Sequence, residues 1–191
     1  VTGPQKLMAL LLAAGAARRF GGDKLMAALD GRSVIEHSAA ALAAAGCRWK
    51  VAIISADASR RRDALEAAGY EVFENPDAGA GVSSSIKTGI RHAQARGADG
   101  VLIALADMPY VTAAHHMALI DRARTHEDGL SFSVTDQLRS PPGVFLRSWF
   151  AQLLALEGDR GAGAILRAAD PACGVSAEAQ ILRDIDTPED L

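Results

Sequence analysis

The chain has 191 residues, 49% of them hydrophobic and 23% charged, with a formal net charge of −3. That length and mix suit one domain with a full core over residues 1–191, and the slight acidity excludes a chain-wide basic surface for nucleic acid or membrane. No apolar run reaches the roughly 18 residues of a membrane span, and no cleavage pattern follows the first one, so a cytoplasmic protein is expected.

In chain order, Leu7 to Ala13 reads as a buried strand. Ser33 caps a helix running to Ala45 and ended by Gly46. Lys50 to Ser55 is strand-like, Ser59 to Ala68 helical and stopped by Gly69, and Glu71 to Glu74 a short strand. Ser83 to Arg96 reads as a helix begun by a Ser83 cap, Gly100 to Leu105 as a second buried strand, and Thr112 to Thr125 as a helix capped by Thr112. Leu130 to Val134 and Gly143 to Leu146 are strands, with Asp136 to Pro142 a mobile loop between them. Two short helices, Ser148 to Leu156 and Gly161 to Ala169, precede a last strand at Ile181 to Ile185. Alternation of strand and helix predicts a mostly parallel sheet covered on both faces, with ligands at the carboxyl ends of its strands.

Four segments at such ends carry chemistry. The first strand runs into Ala14-Gly15-Ala16-Ala17-Arg18-Arg19-Phe20-Gly21-Gly22-Asp23-Lys24. Small residues let backbone N–H groups approach an anion, and Arg19 and Lys24 can fold over it, so the loop suits a polyphosphate. It is neither a Walker A loop nor a G-x-G-x-x-G fingerprint. Asp107, in Leu105-Ala106-Asp107-Met108-Pro109, emerges where Pro109 prevents further strand, and a carboxylate there can hold a hard cation such as Mg²⁺. Asn75-Pro76-Asp77-Ala78-Gly79-Ala80-Gly81-Val82-Ser83-Ser84-Ser85-Ile86-Lys87-Thr88-Gly89 joins a glycine loop to a serine-rich helix start, suited to hydrogen-bonding a base, ribose or phosphate. The end, Asp184-Ile185-Asp186-Thr187-Pro188-Glu189-Asp190, adds a carboxylate and a capped turn.

Other polar residues read as structural. Arg60-Arg61-Arg62 is a solvated helix face, and His115-His116, adjacent on a helix, are surface residues that cannot share one metal. Cys47 and Cys173 have no metal or redox spacing and read as unrelated buried thiols. Trp49 and Trp149 read as packing residues.

Taken together, the motifs resemble the MobA-like nucleotidyltransferases, and most closely the MocA-type molybdenum cofactor cytidylyltransferases. The family's L-A-A-G-x-S-x-R-x-G-x-x-K is matched by Leu12-Ala13-Ala14-Gly15, Arg19, Gly21 and Lys24. Its serine-rich element is matched by Gly81, Ser83, Ser85, Ile86 and Gly89, and its Asp-Met-Pro by Asp107-Met108-Pro109. Gly158-Asp159-Arg160-Gly161-Ala162 and the Asp184 to Asp190 end also look like family elements. Two positions depart: Ala17 stands where the family usually has Ser, and Arg139-Ser140-Pro141-Pro142-Gly143 replaces a Gly-His-Pro or Gly-Asn-Pro that faces the acceptor.

The resemblance implies a three-layer, Rossmann-like α/β fold with a mostly parallel mixed sheet. It implies transfer of CMP from CTP to the terminal phosphate of a molybdopterin-type acceptor. Leu12, Ala13, Ala14, Gly15, Gly21, Gly22, Gly81 and Ser85 would bind the nucleotide, Arg19, Lys24 and Asp107 would act in catalysis, and Asp107 with Asp186 would hold Mg²⁺. A molybdenum hydroxylase would receive the product. Ala-Ala-Gly at 13–15 is similar to the cytidylyl type, whereas guanylyl relatives tend to Ala-Gly-Gly. The alternatives are a relative using GTP or a sugar-phosphate-like acceptor, and a non-catalytic delivery protein. A nicotinamide enzyme is the third, and the missing fingerprint counts against it.

Overall fold

The computed structural model describes residues 6–15, 20–136 and 138–191. A seven-stranded sheet runs through it in the order β5-β4-β1-β6-β8-β7-β9. These are β1 (Leu7–Ala13), β4 (Trp49–Ile54), β5 (Glu71–Glu74), β6 (Gly100–Leu105), β7 (Leu130–Thr135), β8 (Leu138–Leu146) and β9 (Gly174–Ser176). A small hairpin, β2 (Ala28–Leu29) with β3 (Arg32–Ser33), stands apart. The sheet is parallel from β5 through β6, β8 runs antiparallel to β6 and β7, and β9 is parallel to β7. This is a mixed, mostly parallel sheet of Rossmann-like type.

The central strand explains the layering. All seven residues of β1 are buried, as expected of a strand covered on both faces. Leu7, Ala9, Leu11 and Ala13 enter one core, beneath α1 (Val34–Ala43), α2 (Ser59–Ala67) and α4 (Ala113–Thr125). Met8, Leu10 and Leu12 enter the other, beneath α3 (Val82–Ala95), α5 (Phe150–Leu154) and α6 (Gly163–Ala168). Strand period two thus divides one run of Leu, Met and Ala between two cores. Gly89 of α3 sits so close to β1 that a Cβ there would lie 2.3 Å from Leu10 Cδ2.

Helix starts follow their caps. Ser33 and Glu36 form a capping box on α1, and the Thr112 hydroxyl accepts from the His115 amide. The start of α3 corrects the predicted Ser83 cap. The helix begins at Val82 with Gly81 as N-cap and no side-chain cap, and the Ser84 hydroxyl donates back to the Gly81 carbonyl at 2.7 Å.

Two predicted segments differ in the structure. Asp136 to Pro142 is largely strand rather than loop, since β8 runs from Leu138. Its register with β7 shifts between Phe132 and Ser133, which pair with Gly143 and Ser140. Prolines 141 and 142 have no N–H for a ladder, so they bulge out, and the buried Ser133 hydroxyl donates to the Pro142 carbonyl at 2.9 Å. Arg139 fastens the segment by donating to the carbonyls of Leu166 and Ala169, each at 2.7 Å.

Ile181 to Ile185 is not a strand. It crosses the end of β6 and is held there by one backbone bond, from Ile185 N–H to the Asp107 carbonyl at 2.8 Å. Ile185 itself is fully buried. The ninth strand lies earlier, at Gly174–Ser176, on the edge beside β7.

Candidate active site

Strand order sets the position of the site. From β1 the chain winds outward to β4 and β5, then returns to place β6 on the other side of β1. The carboxyl ends of β1 and β6 therefore flank a switch point, where parallel sheets open a crevice. A cleft of about 630 Å³ opens there. Its lining includes Leu12, Ala14, Gly15, Lys24, Gly81, Ser85 and Asp107, which are seven of the residues singled out from the sequence.

Lys24 is the electrostatic centre. It begins a single 3-10 turn, Lys24–Met26, whose N-cap Asp23 accepts from the Leu25 amide at 3.1 Å. The Lys24 ammonium donates to Asp107 Oδ2 at 2.8 Å and to Asp186 Oδ1 at 3.0 Å. Burial alone would lower the Lys24 pKa; the bonds and charges of Asp107, then Asp186, outweigh it and raise the pKa above its ordinary value. The amine is therefore a fixed cation at neutral pH, with 11% of its side chain exposed. Asp107 follows β6, and Asp186 arrives from the far end of the chain. The Asp190 carboxylate accepts from the amides of Asp186 at 3.1 Å and Thr187 at 2.8 Å, which locks the turn presenting Asp186.

Arg61 is a residue whose place sequence reasoning missed. It is not on a solvated face; it is buried, with 7% exposure. Its Nη1 donates to the Ala13 carbonyl at 2.7 Å and the Gly15 carbonyl at 3.2 Å. Its Nε and Nη2 grip Asp23, the shortest contact being 2.8 Å. One guanidinium thus ties the end of β1 to the residue before Lys24 and closes the base of the loop between them. Nothing in a run of three arginines reveals which one faces inward. The planar fork can satisfy a carboxylate and two carbonyls together.

The opposite wall is built at the start of α3. Buried Asn75 donates to Ser84 Oγ at 2.7 Å and Ser85 Oγ at 3.0 Å, and its Oδ1 accepts from the Asp77 amide. Gly81 has φ of +102°, and a Cβ there would lie 2.5 Å from the Gly158 carbonyl carbon and the Asp159 carboxylate. The glycine lets the 158–160 turn close on α3, which brings Asp159 into the cleft. Asn75, the first residue of the segment singled out from the sequence, lines the cleft, as do Ser55 and Asp57 just past β4, which were not anticipated.

Not every predicted residue reaches the cleft wall. Ala13 is buried beneath it and contributes its carbonyl to Arg61. Gly21 and Gly22 lie in the exposed return of the loop. Asp186 enters through its bond to Lys24. Arg19, with Ala16, Ala17 and Arg18, lies outside the described residues. His115 and His116 are buried rather than on the surface, at 8% and 1% exposure. His115 Nε2 lies 2.8 Å from Ser133 Oγ. The inner face of α4 packs on the sheet through both rings, a placement that adjacency in sequence does not disclose.

Residues 9–173 match the MobA-like NTP transferase domain. The chain belongs to the MobA-like NTP transferase family. As a member of this nucleotidyltransferase family it has relatives of varied description. It is 32% identical to the purine catabolism protein PucB of Bacillus subtilis (strain 168), covering 96% of this chain and 93% of PucB. Over 52% of this chain and 48% of the relative, it is 33% identical to nicotine blue oxidoreductase of Paenarthrobacter nicotinovorans. Among solved structures, Rv0371c of Mycobacterium tuberculosis H37Rv superposes with a TM-score of 0.84 at 23% identity, covering 97% of this chain and 95% of Rv0371c. A manganese complex of Rv0371c superposes with a TM-score of 0.80 at 22% identity, covering 97% of this chain and 96% of that one. No described helix is long and apolar enough to cross a membrane.

Proposed function

We propose that this nucleotidyltransferase moves CMP from CTP to the terminal phosphate of a molybdopterin-type acceptor and releases pyrophosphate. The observation that carries the reading is the pairing of Lys24 with Asp107 and Asp186, at a cleft whose lining also includes Gly15 and the start of α3. Preference for CTP rests on Ala13-Ala14-Gly15, and the acceptor on the resemblance to MocA-type proteins.

An acceptor phosphate is already anionic near neutral pH, so attack on the α-phosphorus needs no general base. The chain's task is to position two anions and neutralise charge. Lys24, held charged, stabilises the α-phosphate and the departing pyrophosphate. The Gly15 loop, with Arg19, cradles the β- and γ-phosphates. The Leu12–Ala14 backbone and Ser85, oriented by Asn75, contact base or ribose. Gly81 shapes that wall, and Gly21 and Gly22 give the loop its return. Asp107 and Asp186 offer hard oxygen donors from two elements at one point, which fits Mg²⁺; manganese in the Rv0371c complex is consistent with divalent-cation use. Bound there, Mg²⁺ would supply Lewis-acid neutralisation of phosphate oxygens.

The test is thermal-shift titration with Mg²⁺ and CTP, GTP, ATP and UTP in parallel, followed by pyrophosphate release with a molybdopterin acceptor. Ligand at 100 times its Kd adds about 2.7 kcal/mol, a shift of several degrees for this size. A CTP-selective shift with pyrophosphate release is expected. GTP selectivity moves the assignment to a guanylyl enzyme. CTP binding without release points to a delivery protein for a molybdenum hydroxylase, and no shift with any nucleotide overturns the reading. The same plate with NAD tests the nicotinamide alternative.

A further inference from the structure

At the edge of the sheet opposite the cleft, three potential ligand atoms converge from two turns. His126 and Asp128 follow α4, and Cys173 ends the turn Pro171–Cys173 that leads into β9. Cys173 Sγ lies 3.4 Å from His126 Nδ1 and 3.7 Å from Asp128 Oδ2, and the last two atoms are 3.8 Å apart. We propose that His126, Asp128 and Cys173 form a binding site for one zinc-class divalent cation, separate from the nucleotide cleft.

Geometry and chemistry both support it. Zinc bonds of about 2.0–2.3 Å at tetrahedral angles place neighbouring ligand atoms roughly 3.3–3.7 Å apart, close to the spacing of this triangle. One sulfur, one imidazole nitrogen and one carboxylate oxygen suit Zn²⁺ or Co²⁺, whereas Mg²⁺ and Ca²⁺ prefer oxygen alone. A thiolate and a carboxylate beside a neutral imidazole balance a dication. His126 Nδ1 accepts from the Asp128 amide at 3.3 Å, so in that arrangement the ring proton sits on Nε2, and binding would exchange this long bond for a metal–nitrogen bond.

The backbone holding the ligands is fastened independently of the ligand atoms. Trp149 Nε1 donates to the Asp128 carbonyl at 2.7 Å, and Arg122 donates to the Ala172 carbonyl at 2.6 Å. The Asp170 carboxylate accepts from the Ala172 amide at 2.8 Å. Cys173 is fully buried, while 40% of the Asp128 side chain is exposed, which leaves a route from solvent. Binding exchanges the Cys173 thiol proton for a metal–sulfur bond and releases that proton to solvent. The cation would tie the end of α4 to the start of β9, a strand of three residues at the sheet edge.

The probe is Co²⁺ added to reduced, metal-stripped protein, read by its absorption spectrum, with Zn²⁺ as competitor. One equivalent of Co²⁺ is expected to give a thiolate-to-cobalt charge-transfer band that Zn²⁺ abolishes. Cys173→Ser should remove the band. His126→Asn and Asp128→Asn, both at partly exposed positions, should weaken binding by roughly tenfold or more. Cys47→Ala, and Asp107→Asn in the cleft, should leave the band intact. If Cys173→Ser does not fold, the other two ligand variants decide. Absence of a band in folded wild-type protein overturns the proposal, as does a band unchanged in both His126→Asn and Asp128→Asn or lost in Cys47→Ala.

Discussion

Replacing Arg61 tests how the phosphate loop is held. Arg61→Met keeps an unbranched stem within α2 and removes the guanidinium. Lost with it are the bonds to Asp23 and to the carbonyls of Ala13 and Gly15. Breaking a fully buried ion pair by removing one partner costs about 3–5 kcal/mol. Here 33% of the Asp23 side chain is exposed and can rehydrate, which reduces that contribution. The buried Ala13 carbonyl cannot do so, and losing its charged donor costs about 1–3 kcal/mol. The sum is about 3 kcal/mol, or roughly 6–12 °C in Tm for a chain of this size. Urea unfolding gives the stability, and nucleotide titration of the folded protein gives the functional effect. Affinity should fall too, because the guanidinium holds both ends of the loop and the residue before Lys24. Arg61→Lys should recover only part, since an ammonium has no planar fork. A change within about 0.5 kcal/mol for Arg61→Met, with unaltered nucleotide affinity, would refute the reasoning.

Lys24→Ala should lower turnover by about 10²–10³ with the fold intact, the scale of one lost transition-state charge contact; pyrophosphate release with circular dichroism checks it. Gly81→Ala forces a Cβ onto the Gly158 backbone at a φ of +102° and should cost about 2 kcal/mol or more, whereas Gly79→Ala, with open space around it, should be near neutral. Urea melts of the pair test this. Neither ring nitrogen of His116 has a hydrogen-bond partner at normal distance. Burial, assisted by His115 and opposed by the more distant Ala41 carbonyl, pushes its pKa down from 6.5 to about 4. The folded pKa lies below the unfolded one, so the stabilisation is complete above pH 6.5 and is lost as pH falls toward 4. It amounts to about 3 kcal/mol. His116→Leu should flatten stability between pH 6.5 and 4; an unchanged slope would exclude His116 as its source.

The element order was readable because local chemistry and tertiary burial agree. β1 is apolar at every position and is buried at every position, and Gly46 and Gly69 stop their helices at positive φ of 75° and 78°. The cleft was readable at Asp107 because a carboxylate just past a strand end is informative, and at Lys24 because a cation closes the small-residue loop that follows β1. The misses share a different cause. Arg61 resembles its exposed neighbours, and only the folded chain gives it carbonyls to bind. His126 and Cys173 are 47 residues apart, so no spacing rule joins them. Ile181 to Ile185 has a strand's apolar content, but it meets the end of β6 through one hydrogen bond and has no neighbouring ladder.

Asp186 stands ten residues beyond β9, the last strand of the sheet, and a single backbone bond from Ile185 lays that segment across the end of β6. The pairing of the sheet therefore does not depend on Asp186, and its strands can assemble before the segment carrying the second carboxylate docks on Lys24. β1 must first wait for β6, whose register with it begins at Leu7 opposite Gly100, and such distant pairing is slow. Formation of the sheet and completion of the Lys24–Asp107–Asp186 cluster are thus separable events: a molecule whose 181–186 segment swings away keeps its strands paired but presents one carboxylate to Lys24 instead of two.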